Sequence, residues 1–173
     1  MIPCQKSGQL FDNPLNVSLP NVIAMLSDLI LEYKGKTNSN RVLDADIQKQ
    51  ETTVTARGKV RGSLDVSIVI TYWNMPRSID YDRTSNTARY YYGEGKGIIS
   101  VIGEYHETAT VTEYGVGRLL GQNTVWRGSA FYRMTYSSTA SGNLSFLNNL
   151  VGMFETDVDN VSSDVSEKVW EWK

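Results

Sequence analysis

The sequence has few of the residues on which disulfide, zinc and histidine chemistry depend. Its 173 residues contain one cysteine, Cys4, and one histidine, His106. A single thiol forms no internal disulfide, and one histidine excludes sites built from several histidine ligands. A Ser-His-Asp arrangement would have to use His106, and no G-x-S-x-G motif supplies its nucleophile. We therefore expect neither a bound metal nor a cofactor.

A strong charge of one sign and long apolar runs are also absent. The 17 Lys and Arg stand against 19 Asp and Glu, for a net charge of −2. This balance argues against a dedicated nucleic-acid-binding protein, because such proteins neutralise phosphates. No run of about 18 apolar residues predicts a membrane span. No apolar stretch follows closely on the N-terminus as a secretory signal requires, so we expect a cytoplasmic location.

The N-terminal part is predicted to contain a flexible arm and a helix. Residues 1–16 are polar and interrupted by proline and glycine, which is typical of an irregular arm. Between residues 18 and 34, apolar side chains recur at helical spacing, which predicts a helix packed over or beside the rest of the fold. Its second half, 29–36, also fits a strand. Residues 17–173 are expected to form one domain.

From residue 41 onward, apolar and polar residues alternate, which predicts β-strands. The clearest feature is a hairpin, in which alternating runs at 51–61 and 64–73 flank a turn at Gly62 and Ser63. Further strands are predicted at 41–47, 89–101, 105–116, 124–136, 153–158 and 166–172. One short helix is predicted between residues 142 and 152.

The number of strands and the short links between them favour an antiparallel sheet. Closing such a sheet into a barrel removes its exposed edges. The predicted fold class is therefore mainly β, an antiparallel barrel of about eight strands with one or two short helices. A two-sheet sandwich is the alternative.

Glycine recurs inside the predicted strands. Gly93, Gly95 and Gly97 share one face of a strand, and Gly115 and Gly117 share a face of the next. Such glycines mark strong curvature or the close approach of another group. Either aromatic residues of neighbouring strands cover this bare face, or it is left open for a ligand or the N-terminal helix. A strand follows Gly97, so the run is not a dinucleotide-binding motif.

Aromatic residues supply candidates for ligand binding. Tyrosine and tryptophan line pockets with an apolar ring and a polar tip that orients a ligand. The candidate ligand-binding residues are Tyr72, Tyr92, Trp126 and Tyr132.

Carboxylates within the strands supply candidates for catalysis. A carboxylate inside a barrel would be desolvated, which raises its pKa and suits acid–base chemistry. The candidate catalytic residues are Glu94 and Glu113, as acid or base, and Arg127, as the holder of an anion. Solvent-facing positions are the alternative for all three, and alternation places Arg127 opposite Trp126.

Several stretches in the second half resemble a group of uncharacterised small prokaryotic proteins. The stretches are YGEG at 92–95, GVGR at 115–118, WRGS at 126–129, LNN at 147–149, FE at 154–155 and WEWK at 170–173. The resemblance covers roughly residues 29–173 and implies no activity. The predicted architecture is also similar to small barrels of the lipocalin and allene-oxide-cyclase kind, although no allene oxide cyclase motif is matched.

Three functions are compatible with this sequence. The first is binding of a small apolar or amphipathic molecule, which requires an apolar cavity. The second is a cofactor-free isomerase, cyclase or lyase, which requires at least two titratable groups in that cavity. The third is a structural or assembly module with a filled interior, in which Trp170 and Trp172 bury against a second copy to form a homodimer.

Overall fold

The computed structural model describes residues 26–76, 81–82, 87–88, 90–104, 107–134 and 142–173. The predicted arm at 1–16, Cys4 and His106 lie outside these residues. The described strands are β1 (Leu26–Asp44), β2 (Lys49–Val60), β3 (Leu64–Pro76), β4 (Tyr81–Asp82), β5 (Thr87–Ala88), β6 (Tyr90–Val101), β7 (Thr108–Leu120), β8 (Asn123–Met134), β9 (Val151–Asp159) and β10 (Asp164–Trp172). One 3-10 turn lies at Ser145–Leu147.

Eight of these strands form a closed barrel in the order β1-β10-β9-β8-β7-β6-β3-β2, and β4 pairs with β5. Neighbouring barrel strands are antiparallel. The first strand pairs with both β2 and β10, so the barrel has no open edge among the described strands. The predicted fold class is confirmed, as is the hairpin around Gly62 and Ser63.

The helix predicted for 18–34 is wrong where the structure describes that segment. Residues 26–44 form β1, a strand of 19 residues. The alternative strand at 29–36 is confirmed. Ile30, Leu31 and Tyr33 are all buried, and the pairing register shifts between Leu29 and Leu31. This irregularity buries adjacent residues and so breaks the strict alternation expected of a strand.

Two smaller predictions also need correction. The strand predicted at 41–47 is the end of β1 together with the turn that leads to β2. The helix predicted between 142 and 152 is only the 3-10 turn at 145–147. In the described part of the chain, no helix has the length and apolar character needed to cross a membrane.

The apolar core fills one end of the barrel. Its buried residues there include Ile30, Val60, Val66, Ile68, Ile99, Val101, Ala109, Val111 and Val169. Leu144 and Leu147 add to this core from the segment between β8 and β9. That segment is fixed by Glu107, whose carboxylate accepts hydrogen bonds from the Leu144 backbone N (2.5 Å) and from Asn143 Nδ2 (3.1 Å). Side-chain packing therefore leaves space only toward the opposite end.

Candidate functional site

The opposite end of the barrel contains a cavity of about 420 Å³. All eight barrel strands contribute to its wall, and Asn40, Gln50 and Asn160 are its exposed residues. Its aromatic residues in the described part of the chain are Tyr72, Tyr91, Trp126 and Phe154. A volume of this size matches the range of small-molecule sites, about 300–1,000 Å³.

The ionisable charges around this cavity are of one sign. Glu113 and Asp159 line it, and none of its described lining residues is Lys, Arg or His. The Asp159 carboxylate accepts hydrogen bonds from the backbone N–H groups of Ser162 (3.0 Å) and Val161 (2.8 Å). These hydrogen bonds hold the pKa of Asp159 below its usual value. The cavity therefore has an acidic character at neutral pH.

A first row of side chains crosses three adjacent strands to reach Glu113. Tyr72 on β3 pairs with Gly95 on β6, and Gly95 pairs with Glu113 on β7. Because Gly95 has no side chain, the Tyr72 ring lies across it. A Cβ atom at this glycine would be 2.5 Å from Tyr72 Cε1. The Tyr72 hydroxyl then donates to Glu113 Oε2 at 2.8 Å.

A second row approaches from the other side of the barrel. Tyr33 on β1 pairs with Glu167 on β10, and Glu167 pairs with Thr156 on β9. The Thr156 hydroxyl donates to Glu167 Oε2 at 2.6 Å. The Tyr33 and Tyr72 hydroxyl oxygens are 3.2 Å apart. The two rows therefore form one hydrogen-bonded network inside the barrel.

The carboxyl groups of Glu113 and Glu167 meet at the centre of this network. A hydrogen bond between them lowers the pKa of Glu113 and raises that of Glu167, and each residue is only 1% exposed. The Oε1 atom of each receives no hydrogen bond from a donor group of the described residues. Two carboxyl oxygens bond only when one of them carries a proton. The pair therefore shares a proton.

Burial controls the ionisation of this pair. It raises the pKa of Glu113 to about 7, against the opposing effect of the hydrogen bonds from Tyr72 and Glu167. Burial, followed by repulsion from Glu113, raises the pKa of Glu167 well above its usual value. Two carboxylates this close do not both ionise readily in a low-dielectric interior. Near neutral pH Glu167 keeps its proton, whereas Glu113 gains or loses its own.

The tyrosines around the pair remain neutral hydrogen-bonding groups. Burial raises the pKa of Tyr33, Tyr72 and Tyr132 well above 10. The Tyr132 hydroxyl is buried and has no hydrogen-bond partner among the described residues. Tyr132 therefore belongs to the filled part of the interior, whereas Tyr72 lines the cavity.

The sequence allowed two interpretations of the glycine face, which were cover by aromatic residues and a face left open for a ligand or a helix. In the structure, aromatic residues cover it at three of its positions. A Cβ atom at Gly117 would be 2.6 Å from the Trp126 ring, and one at Gly93 would be 2.7 Å from it. A Cβ atom at Gly115 would be 2.8 Å from the Phe154 ring. Neighbouring aromatic side chains thus occupy the glycine positions, as the first interpretation expected. The same rings form the cavity wall, so the glycines shape the site indirectly.

Three of the seven candidate residues lie outside the barrel. Glu94 forms an ion pair with Lys96 at 3.0 Å, and Arg127 forms one with Glu155 at 2.8 Å. Tyr92 is 44% exposed. Glu94, Arg127 and Tyr92 therefore face outward, which for Glu94 and Arg127 is the solvent-facing alternative. Strand alternation explains this, since their neighbours at 93, 95 and 126 face inward.

These three outward residues share an open groove of about 610 Å³ on the outer surface. Trp73 and Trp172 also line it. The groove is larger than the internal cavity. However, Glu94 and Arg127 are already paired with surface partners, so the groove brings together no buried reactive groups among its described lining residues. Trp172 is 58% exposed, and burial of this residue in a homodimer stays a prediction.

Of the remaining candidates, Glu113, Tyr72 and Trp126 line the internal cavity. Sequence reasoning missed Glu167, Tyr33 and Thr156. A signal for Glu167 was present, because it alternates with the apolar Val165 and Val169 on one face of β10. The assignment of residue 33 to a helix concealed the contribution of Tyr33.

Comparison with known proteins supports the fold. No protein-family model and no curated protein matches the chain. A crystal structure described as a protein with unknown function from Clostridium acetobutylicum ATCC 824 is similar, with a TM-score of 0.61 and 8% sequence identity. The similarity covers 84% of this chain and 98% of that one. At this identity the likeness concerns the fold alone, and it agrees with the resemblance to small proteins of uncharacterised function.

Proposed function

We propose that the protein binds a small amphipathic molecule in the internal cavity. The observation that carries this proposal is the 420 Å³ space left at one end of a barrel whose other end is filled. An eight-stranded barrel has an interior just wide enough to hold one small ligand. A purely structural module would fill this space with side chains, so the cavity favours the binder.

The composition of the cavity wall suits an amphipathic ligand. The rings of Trp126, Phe154 and Tyr72 offer apolar surface, while Asn74 and Thr52 offer polar atoms. Apolar walls supply most of the affinity for a small ligand, and a few placed polar groups fix its orientation. The Tyr72–Glu113 hydrogen bond gives the cavity a polar region of defined geometry.

A cavity-blocking variant tests this proposal. Val158 lines the cavity, so Val158→Trp is expected to abolish binding of the neutral fluorescent probe N-phenyl-1-naphthylamine. Val161, which is 72% exposed, gives the matched control Val161→Trp, and this variant should bind the probe as the unmodified protein does. Fluorescence titration measures the affinity in all three proteins. Equal affinity in Val158→Trp would place the probe elsewhere and contradict the proposal, as would a lack of binding to the unmodified protein.

A cofactor-free enzyme is a second candidate, and the Glu113–Glu167 pair is the observation that favours it. Glu113 titrates near neutral pH, where a general base or acid is most effective. Glu167 holds the shared proton and would stabilise the ionised form of Glu113. Conversion of a bound molecule that is lost in Glu113→Gln, with binding retained, would distinguish this enzyme from a binder.

A further inference from the structure

The cavity presents negative groups without a compensating cation. Glu113 lies in its wall and Asp159 also lines it, and its described lining includes no Lys, Arg or His. A ligand carboxylate or phosphate would meet repulsion here and find no charged partner. Complementary charge favours a ligand with a positive group.

The buried carboxyl pair also has unused capacity to accept hydrogen bonds. Tyr72 donates a hydrogen bond to Glu113 Oε2, and Thr156 donates one to Glu167 Oε2. The Oε1 atom of Glu113, the member of the pair that lines the cavity, has no donor among the described residues. An ammonium group brings three donors and no acceptor, which matches this deficit. Thr52 and Asn74 supply further acceptor oxygens along the cavity wall.

The aromatic residues of the cavity favour the same chemistry. Tyr72 bonds directly to Glu113, and Trp126, Tyr91 and Phe154 form the wall beside it. The Tyr91 and Trp126 ring centroids are 6.3 Å apart. Aromatic faces attract cations, tryptophan most strongly, and they also bury the apolar body of a ligand. Carboxylate and aromatic groups together are the usual surroundings of a bound amine.

We infer that the cavity binds a small molecule in which a protonated amine is joined to an aromatic or apolar body, with the amine on Glu113. This inference rests on the proposed binding function and specifies its ligand class. The ionised Glu113 accepts hydrogen bonds from the ammonium group, and Glu167 keeps the shared proton. Where Glu113 was protonated beforehand, its proton leaves to solvent as the amine binds.

Amine binding should therefore strengthen as the pH rises through the titration of Glu113. The titratable groups that face Glu113 are Glu167 on β10, Tyr72 on β3, Tyr33 on β1 and Tyr132 on β8. The tyrosines are neutral throughout this range, and Glu167 retains its proton. Of these facing groups in the described part of the chain, only Glu113 changes its charge near neutral pH, so it sets the direction of the dependence.

Three indole probes of nearly equal size provide the test. Tryptamine carries an ammonium group, tryptophol a neutral hydroxyl group and indole-3-acetate a carboxylate. Isothermal titration calorimetry at about pH 8 is expected to give tryptamine an affinity about ten-fold or more above that of tryptophol, with indole-3-acetate weakest. At about pH 5.5 the preference for tryptamine should shrink, whereas the affinity of tryptophol should stay constant.

The variants identify the residue responsible. Glu113→Gln should bind tryptamine and tryptophol equally, while Glu104→Gln, at an exposed position, should keep the preference. Equal binding of the two probes to the unmodified protein at about pH 8 would overturn the amine inference and leave the binding function standing. Binding of none of the indoles, together with no probe fluorescence, would overturn both. If Glu113→Gln does not fold, the pH dependence of tryptamine binding to the unmodified protein still tests the role of Glu113.

Discussion

The free energy of unfolding is expected to fall by roughly 3 kcal/mol as the pH rises from 4.5 to about 7, through Glu113 alone. The folded protein holds this carboxyl protonated up to about pH 7, whereas the unfolded chain releases the proton near 4.5. Stability decreases wherever the folded state binds more protons than the unfolded state. The stabilising contribution is therefore complete below pH 4.5 and lost at about 7. Urea unfolding at several pH values measures it.

Among the other described groups with shifted pKa values, Glu167 also acts between pH 4.5 and 7. Its contribution adds to that of Glu113 and continues until the pH passes its own pKa, which burial raises well above the usual value. Asp159 and Asp164 have lowered pKa values, so their contribution is lost only as the pH falls below the usual aspartate value. The buried tyrosines ionise far above neutral pH. The contribution of Glu113 is therefore obtained from the difference between the unmodified protein and Glu113→Gln, and not from the total change over this interval.

Glu113→Gln is expected to remove the part of the pH dependence that belongs to Glu113 and to leave the part that belongs to Glu167. The glutamine carbonyl accepts the hydrogen bond from Tyr72, and its amide donates to Glu167, so the network keeps its partners. The variant should match the unmodified protein at about pH 4.5 and exceed its stability by roughly 3 kcal/mol at about pH 8. Glu104→Gln, at an exposed position, should follow the unmodified protein. A Glu113→Gln curve parallel to that of the unmodified protein would show that Glu113 is not a buried acid.

Gly128→Ala is expected to have the second large effect, a loss of about 3 kcal/mol or more in the free energy of unfolding. Gly128 on β8 pairs with Gly115 on β7 and with Phe154 on β9. A Cβ atom at Gly128 would overlap the Tyr114 carbonyl oxygen and lie 2.7 Å from the Gly115 Cα atom. Both contacts are with backbone that is held by strand pairing. The barrel must therefore distort to admit one methyl group.

Gly121→Ala is the matched control for this substitution. Gly121 lies in the turn between β7 and β8 with φ +63°, and a Cβ atom there would meet no atom within 4 Å. Its left-handed backbone costs alanine about 1 kcal/mol. Both substitutions restrict the unfolded chain equally, so the difference between them reports the contact in the folded barrel. Equal losses of stability, measured by urea unfolding at one pH, would contradict the close strand packing at Gly128.

The barrel could be predicted from the sequence because period-two alternation persists from residue 51 onward. Turn residues such as Gly62 and Gly121 separate the alternating runs. The first strand was hidden, because Ile30 and Leu31 are adjacent and both buried. An adjacent buried pair breaks the period of two, and Leu29, Ile30 and Tyr33 also match helical spacing, so the local pattern allows both a helix and a strand. The pairing of β1 with β2 and β10 makes this segment a strand. The local sequence does not reveal those contacts with other strands.

The site was less predictable than the fold. Glu113 could be proposed as an interior acid because it shares a face with Val111 and Gly115. The same reasoning could not rank Glu113 above Glu94, since a shift of one residue reverses which face is inside. The contact between Glu113 and Glu167 could not be predicted for another reason. It joins β7 to β10 across the interior, and it depends on barrel closure and on the register of four successive strands.

The most direct test of the whole account is a ¹³C NMR titration of protein labelled at the glutamate carboxyl carbon. We expect one resonance with a midpoint at about 7 and another higher still, belonging to the buried pair. Both should change in Glu113→Gln. Addition of N-phenyl-1-naphthylamine should shift the Glu113 resonance and leave exposed glutamates unaffected, because Glu113 lines the cavity. Titration of every glutamate between about pH 4 and 5 would contradict the buried pair, and an unchanged Glu113 resonance in the presence of saturating probe would contradict its place in the binding site.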